Sequence, residues 1–298
     1  MSLDEEFQKS LTPKEKKKLL SDAIATVERD GFIVHKPQPA NEPHLFDTSR
    51  VKGDRVRIAF ISDTHFGSKY QQVTYLREFM NYAEKEAKVD CFIHGGDVTD
   101  GPIEAHRGAI HEMFTGTYDG QRAVAIEQWP QTKKHTYVIR GNHDEFYLKN
   151  AGGDIVSDIC AARGFDYVGD TTAGARIEFG DVSVLVQHPH DGVGYALSYK
   201  LQRRIESLSP ENRPSIYALG NYHKTCHLPA WRNTEGFLLP SFQSQSAWMA
   251  SKGLASIVGG LIVEFGITGK GLAPALKTEW VLYREPIPED WKVTAGLV

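Results

Sequence analysis

Three apolar runs in the first half of the chain, RVRIAFISD, VDCFIHGGD and HTYVIRGNHD, each stop at a group of Asp, His, Asn and Gly. Between the first two lies QQVTYLREFMNYAEKEAK, where Val73, Leu76, Met80, Ala83 and Ala87 recur along one face at helical spacing. A polar, partly helical stretch separates the second run from the third. Strand, helix, strand alternation of this kind builds a parallel sheet, so the first half is α/β. In such sheets the carboxyl ends of the strands border one crevice. Asp63 and His65, Asp97, Asn142 and His143 are therefore expected to converge although far apart in sequence.

The second half is richer in strands: ARIEFG, VSVLVQHPH, SIYALGNYH, GFLLPSF, SIVGGLIVEFG and LKTEWVLYRE, with one helix at YALSYKLQRRIESL. That return predicts a second sheet packed on the first. Residues 1–50 look like an appendage to a main domain at 51–298. LTPKEKKKLLSDAIATVERDG has a capping Thr12, Pro13 in its first turn, Glu15 completing a capping box and Gly31 as a stop. The proline-rich HKPQPANEPHLFD follows as a linker. A packing arm is the preferred reading over the end of a winged-helix DNA-binding unit, and an oligomer made through that arm is a further expectation.

At 298 residues and 41% hydrophobic content the chain can fill a sizeable core. Its formal net charge of -4 gives no global attraction for nucleic acid. Cys91, Cys160 and Cys226 are too few and scattered for a disulfide framework, which favours a reducing compartment. The first residues lack a signal-peptide pattern, and the longest apolar run, Leu254 to Phe265, is short and broken by glycines. A soluble cytoplasmic protein without membrane contact is expected.

The chemistry sits in the strand-end groups. Asp63 and His65 are alternate residues, which on an extended backbone point the same way and reach one ion. A mixed oxygen and nitrogen donor set suits manganese, iron or zinc better than calcium or magnesium. Gly95 and Gly96 allow a sharp bend before Asp97, where a carboxylate can bridge two ions.

Taken in order, Asp63-Thr64-His65, Gly96-Asp97-Val98-Thr99-Asp100, Gly141-Asn142-His143-Asp144, His188 and Gly220-Asn221-Tyr222-His223 resemble the calcineurin-like metallophosphoesterase family over residues 55 to 285. The resemblance implies a four-layer double β-sandwich flanked by helices and a site for two divalent ions, manganese first, with iron, zinc or magnesium as alternatives. It assigns Asp63, His65, Asp97 and His223 to the first ion and Asp97, Asn142, His188 and the position of Asn221 to the second. His143 resembles the family's non-ligand histidine, which contacts the phosphate and protonates the leaving oxygen, and Asp144 is expected to orient it. Asp100, Arg140, His190 and Tyr222 are expected as supporting or substrate-facing groups, with His188 preferred over His190 as the ligand because it lies directly at a strand end.

One position departs from the pattern, since the family usually has histidine where this chain has Asn221. An amide oxygen is a weaker ligand than imidazole, so the second ion is expected to bind less tightly. The resemblance implies a metal-dependent phosphoesterase, with diesters preferred over simple monoesters as substrates. Short motifs at residues 63–67 and 140–144 are similar to the double-strand-break repair exonuclease branch, which makes nuclease activity on DNA the leading substrate expectation. A nucleotide or small-molecule phosphodiesterase or phosphatase is the alternative, and a catalytically weakened scaffold or binding subunit is a third reading. His94, His106, His111 and His227 are read as solvated or hydrogen-bonded, Cys91 and Cys226 as small buried hydrophobes, and Trp248 as core or lid packing. Lys224 and the stretch SFQSQSAWMASKG are placed near the site.

Overall fold

The computed structural model describes residues 43–51, 53–267 and 276–293, together with Thr12 and Lys18. The expected N-terminal helix and its linker lie outside the described residues, apart from those two positions. Everything below belongs to one unit, residues 39–298.

Among the described residues, twelve strands form two six-stranded sheets. The first contains β2 (Arg55–Ile61), β3 (Cys91–His94), β4 (His135–Ile139), β5 (Asp166–Gly169), β11 (Val258–Gly266) and β12 (Lys277–Tyr283), in the order β12-β11-β2-β3-β4-β5. The second contains β1 (His44–Leu45), β6 (Ala175–Phe179), β7 (Val182–Gln187), β8 (Ile216–Leu219), β9 (Cys226–Trp231) and β10 (Thr234–Leu238), ordered β1-β6-β7-β8-β10-β9. The expected α/β fold with two packed sheets is what the chain adopts. His44 and Leu45 already pair with β6, so the second sheet takes in residues upstream of residue 51.

Two strands of the second half behave differently from the expectation. β11 and β12 do not join the second sheet; β11 pairs antiparallel with β2, and β12 with β11. The reason lies in burial, because β11 is buried along nearly its whole length on both faces, as befits an interior strand.

The inner faces of the two sheets meet in one core that includes Phe60, Ile93 and Ile139 from the first and Ile177, Val184, Ala218 and Phe237 from the second. Outside the first sheet pack α1 (Val73–Lys85), α2 (Tyr118–Gln128) and α4 (Ile155–Arg163), while the short α3 (Glu145–Ala151) follows β4. On the outside of the second sheet, α5 (Leu197–Ser207) buries Leu201 and Ile205. Helix, sheet, sheet and helix make four layers. α1 forms because Val73, Leu76, Phe79, Met80 and Ala83 share one face, and burying a side chain such as Leu76 or Phe79 contributes about 1.5–3 kcal/mol. Phe79 can lie flat against β11 only because position 260 is glycine, where a Cβ would stand 2.3 Å from the ring.

β2, β3 and β4 run parallel in register, so their carboxyl ends open on the same edge. β7 and β8 are likewise parallel in the second sheet. That edge carries the site.

Candidate metal centre

The ends of β2, β3 and β8 deliver their side chains through strained turns. Asp63, His65, Asp97, Asn221 and His223 all have positive φ, between 45° and 73°. For residues with a Cβ this conformation costs on the order of 1–3 kcal/mol each and persists where the surrounding structure enforces it. Asp63 and His65 therefore meet through two left-handed kinks rather than through the alternation of an extended backbone. Glycines let the turns approach: Gly96 has φ +92°, and a Cβ there would lie 2.5 Å from His188 Nδ1. A Cβ on Gly141 would fall 2.1 Å from the Asp97 backbone nitrogen.

Four imidazoles enter the cavity in the same way, each held from outside through Nδ1. His65 Nδ1 donates to Asp100 Oδ1 at 2.9 Å, and His188 Nδ1 to the Gly95 carbonyl at 2.6 Å. His143 Nδ1 donates to the Asp100 carbonyl, and His223 Nδ1 to Ser256 Oγ at 3.3 Å. Their Nε2 atoms are thus directed inward. His223 Nε2 lies 3.1 Å from Asp63 Oδ1 and 3.3 Å from His65 Nε2. His188 Nε2 lies 3.0 Å from Asp97 Oδ2 and 3.1 Å from Asn142 Oδ1. Asp97 stands between the two sets, with Oδ2 3.8 Å from His65 Nε2.

Among the described residues, three donor groups have ligand atoms within 4.8 Å of one another: Asp63, His65 and His223; Asp63, Asp97 and His188; and His65, Asp97 and His143. These residues suit divalent ions. With Nδ1–H used outward, the facing His65 and His223 Nε2 atoms present lone pairs to each other and to a carboxylate, an arrangement that a shared cation relieves. The field of the site asks for positive charge as well. Burial opposes protonation of His188, yet the charge of Asp97 lifts its pKa to about 9. Burial tends to raise Asp63 and Asp97, yet the surrounding imidazoles hold both below the ordinary carboxylate range.

The expected supporting residues divide. Asp100 is brought to the centre, where it holds His65 by a side-chain oxygen and His143 by its carbonyl. Asp144 does something other than orient the His143 ring. It accepts from the backbone nitrogens of Val98, Thr99 and Gly141 and from the Thr99 hydroxyl, and so fastens the turn after β3 to the turn after β4. Burial and the charge of Asp97 push its carboxyl up to about 6. Arg140 is directed elsewhere, against Asp154 and the Tyr167 hydroxyl. His190 is exposed and lies 3.7 Å from Glu145, while His188 is fully buried in the centre.

Asn221 meets the centre through its backbone. Its N–H donates to both Asp63 oxygens, at 3.1 and 3.2 Å, while its side-chain Nδ2 donates to the Asp191 carbonyl at 2.9 Å. Tyr222 also turns to Asp191, its hydroxyl donating to Oδ1 at 2.6 Å. Lys200 and Arg204 on α5 reach the same carboxylate, making Asp191 the anchor of the loop behind the second donor set. The chain sequence marks this residue only as a polar neighbour of His188 and His190.

Of the other histidines, His94 is buried and neutral, since burial drives its pKa down to about 3. Its Nδ1 accepts from the Gly96 nitrogen and its Nε2–H faces the Thr64 hydroxyl, which steadies both neighbouring turns. His227 is paired with Glu235 and His111 is exposed; the side chain of His106 lies outside those described. Cys91 and Cys160 are buried and free, and Cys226 is half-buried and free. Lys224 donates to the Ala255 carbonyl. Trp248 is half-buried in α6 (Ala247–Ser251), its N–H bonded to Glu112. No helix among the described residues is long and apolar enough to cross a membrane.

Residues 56–195 match the family of calcineurin-like phosphoesterases. No curated protein matches the chain. Among solved structures, a predicted phosphoesterase from Streptococcus pneumoniae TIGR4 is 15% identical, with 76% of this chain and 98% of that one covered at a TM-score of 0.35. Yfce, a phosphoesterase from E. coli, is 14% identical over 75% of this chain and 98% of its own, at a TM-score of 0.40. A single mutant of Vps29 from Entamoeba histolytica is 12% identical over 77% and 100%, at 0.37.

Proposed function

We propose that this chain, whose residues 56–195 match the calcineurin-like phosphoesterases, is a metal-dependent phosphoesterase acting on phosphodiesters, with DNA the first substrate to test. The observation that carries the reading is the set of four imidazoles held outward through Nδ1 and converging through Nε2 on Asp63 and Asp97. Asp63, His65 and His223 would hold one divalent ion and His188 and Asn142 the other, with Asp97 shared. Bound there, such ions supply Lewis acidity toward phosphate oxygens and a hydroxide nucleophile near neutral pH, so no serine or cysteine nucleophile is required. Manganese is the preferred ion from the mixed donor set.

His143 is the proton donor in this reading. Its Nδ1–H is committed to the Asp100 carbonyl, so Nε2 can carry a proton only in the imidazolium form. Burial disfavours that form, but the charges of Asp97 and Asp100 raise the His143 pKa and favour it. As the bond from phosphorus to the leaving oxygen breaks, Nε2–H passes its proton to that oxygen and the ring becomes neutral. Asp100 then acts twice, orienting His143 by its carbonyl and His65 by its carboxylate.

A second reading, a scaffold with weakened catalysis, is favoured by Asn221, whose side-chain Nδ2 is spent on Asp191. Manganese-dependent hydrolysis of bis(p-nitrophenyl) phosphate and single-stranded DNA, measured for the chain and for Asn221→His, separates the readings. Cleavage of the small diester by either form supports the enzyme, and the DNA result decides the finer substrate. No hydrolysis of any phosphate ester by either form would leave the scaffold.

A further inference from the structure

The segment Pro240–Ser246 carries no motif, yet one residue in it touches the outer support of three candidate ligands. Gln243 is buried, at 6% exposure. Its Nε2 donates to Asp100 Oδ1 at 3.3 Å and to Ser68 Oγ at 2.9 Å, and Asp100 Oδ1 is the oxygen that holds His65 Nδ1. The Gln243 backbone carbonyl accepts from Ser256 Oγ at 2.6 Å, which leaves the Ser256 oxygen free to take the proton of His223 Nδ1. Its N–H donates to Ser241 Oγ at 2.8 Å, and that hydroxyl donates to the Asp63 carbonyl at 2.8 Å.

We propose that Gln243 is a positioning residue: its side-chain amide sets His65 through Asp100, while its backbone N–H and carbonyl tie the same turn to Asp63 through Ser241 and to His223 through Ser256. The directions of the bonds are fixed by chemistry. A carboxylate only accepts, so Asp100 must receive both the Gln243 amide and the His65 ring proton. A hydroxyl has one proton, so Ser256, in giving it to the Gln243 carbonyl, can only accept from His223. Both rings are thereby locked in the Nδ1–H tautomer with Nε2 turned inward. An outer shell of this kind is commonly worth 10- to 100-fold in metal affinity.

The proposal rests on the metal-centre reading, and its test separates the two. In the metal-free full-length chain, long-range proton–nitrogen NMR of the imidazoles reports the tautomer of each ring directly. Gln243→Met keeps the length and volume but loses the side-chain donors, and Gln243→Glu keeps the shape while placing a second carboxylate against Asp100. Both are expected to shift His65 away from the pure Nδ1–H tautomer while His223 keeps its own. Ser256→Ala is expected to do the reverse. Manganese titration should show each variant about 10-fold weaker at the first ion. If His65 keeps the wild-type tautomer in both Gln243 variants and manganese affinity stays within twofold, the proposal is overturned, whatever happens to thermal stability. A wild-type chain that binds no manganese would instead overturn the metal-centre reading, and the tautomer result would still decide the role of Gln243.

Discussion

The Nε2 atoms of His65 and His223, 158 residues apart in sequence, face each other at 3.3 Å beside the Asp63 carboxylate. Two ring nitrogens whose protons are turned outward have nothing to offer each other. Their closeness is productive only around a cation.

Divalent metal should stabilise the fold. With manganese at about 100 times its dissociation constant, linkage gives about 2.7 kcal/mol, or roughly 5–10 °C in Tm for a domain of this size. Thermal unfolding with and without manganese and chelator measures it. His223→Ala should abolish most of the shift, and a shift of equal size in that variant would contradict the assignment.

Asn221→His should trade a loop contact for a ligand. Losing the hydrogen bond to the Asp191 carbonyl costs about 1 kcal/mol. The second ion should bind at least 10-fold more tightly and diester hydrolysis should rise. Unchanged affinity for the second ion would show that position 221 does not reach it.

His143→Gln should keep the metals and lose the acid. A drop of about 10²- to 10⁴-fold in kcat is expected, as for loss of a general acid. In the unaltered chain the rate should fall on the alkaline side as the imidazolium, stabilised by Asp97 and Asp100, gives up its proton. That limb should vanish in the variant. An alkaline limb that survives in His143→Gln would assign it to another group.

A pH effect is expected away from the site. Glu264 on β11 pairs in register with Arg57 on β2 and Lys277 on β12, and Arg55 bonds the same carboxylate. Burial would raise its pKa, but these three cations draw it from 4.5 to about 2. A lowered folded-state pKa means the stability it lends is complete above about 4.5 and is lost as pH falls through about 2. The Tm difference between wild type and Glu264→Gln should therefore be full at pH 7 and shrink below pH 4.5. A difference independent of pH would argue that the carboxylate acts by packing alone.

The α/β order and the strand-end cluster are legible in the chain because both depend on local pattern: apolar runs, helical spacing, and Asp, His or Asn after a strand. Membership of β11 and β12 in the first sheet is not, since β11 pairs with β2 as a strand buried on both faces and β12 follows by pairing with β11, neither being set by order along the chain. β5 and α4 are also absent from a pattern reading, being short segments within a mixed polar stretch. The left-handed turns at Asp63 and His65 escape notice because residues with a Cβ give no sign of positive φ. Asp144 and Arg140 sit next to motif residues yet face other partners, and Gln243 and Asp191 work through loops whose composition says nothing about what they touch.

Manganese bound per chain at equilibrium, for the wild type and for Asp97→Asn, decides whether Asp97 is shared by a two-ion centre. Two ions are expected in the wild type, one held more tightly than the other, with both tight sites lost when the shared carboxylate is neutralised. A wild-type chain that takes up no manganese, or an Asp97→Asn variant that binds two ions as tightly as the wild type, would contradict that assignment.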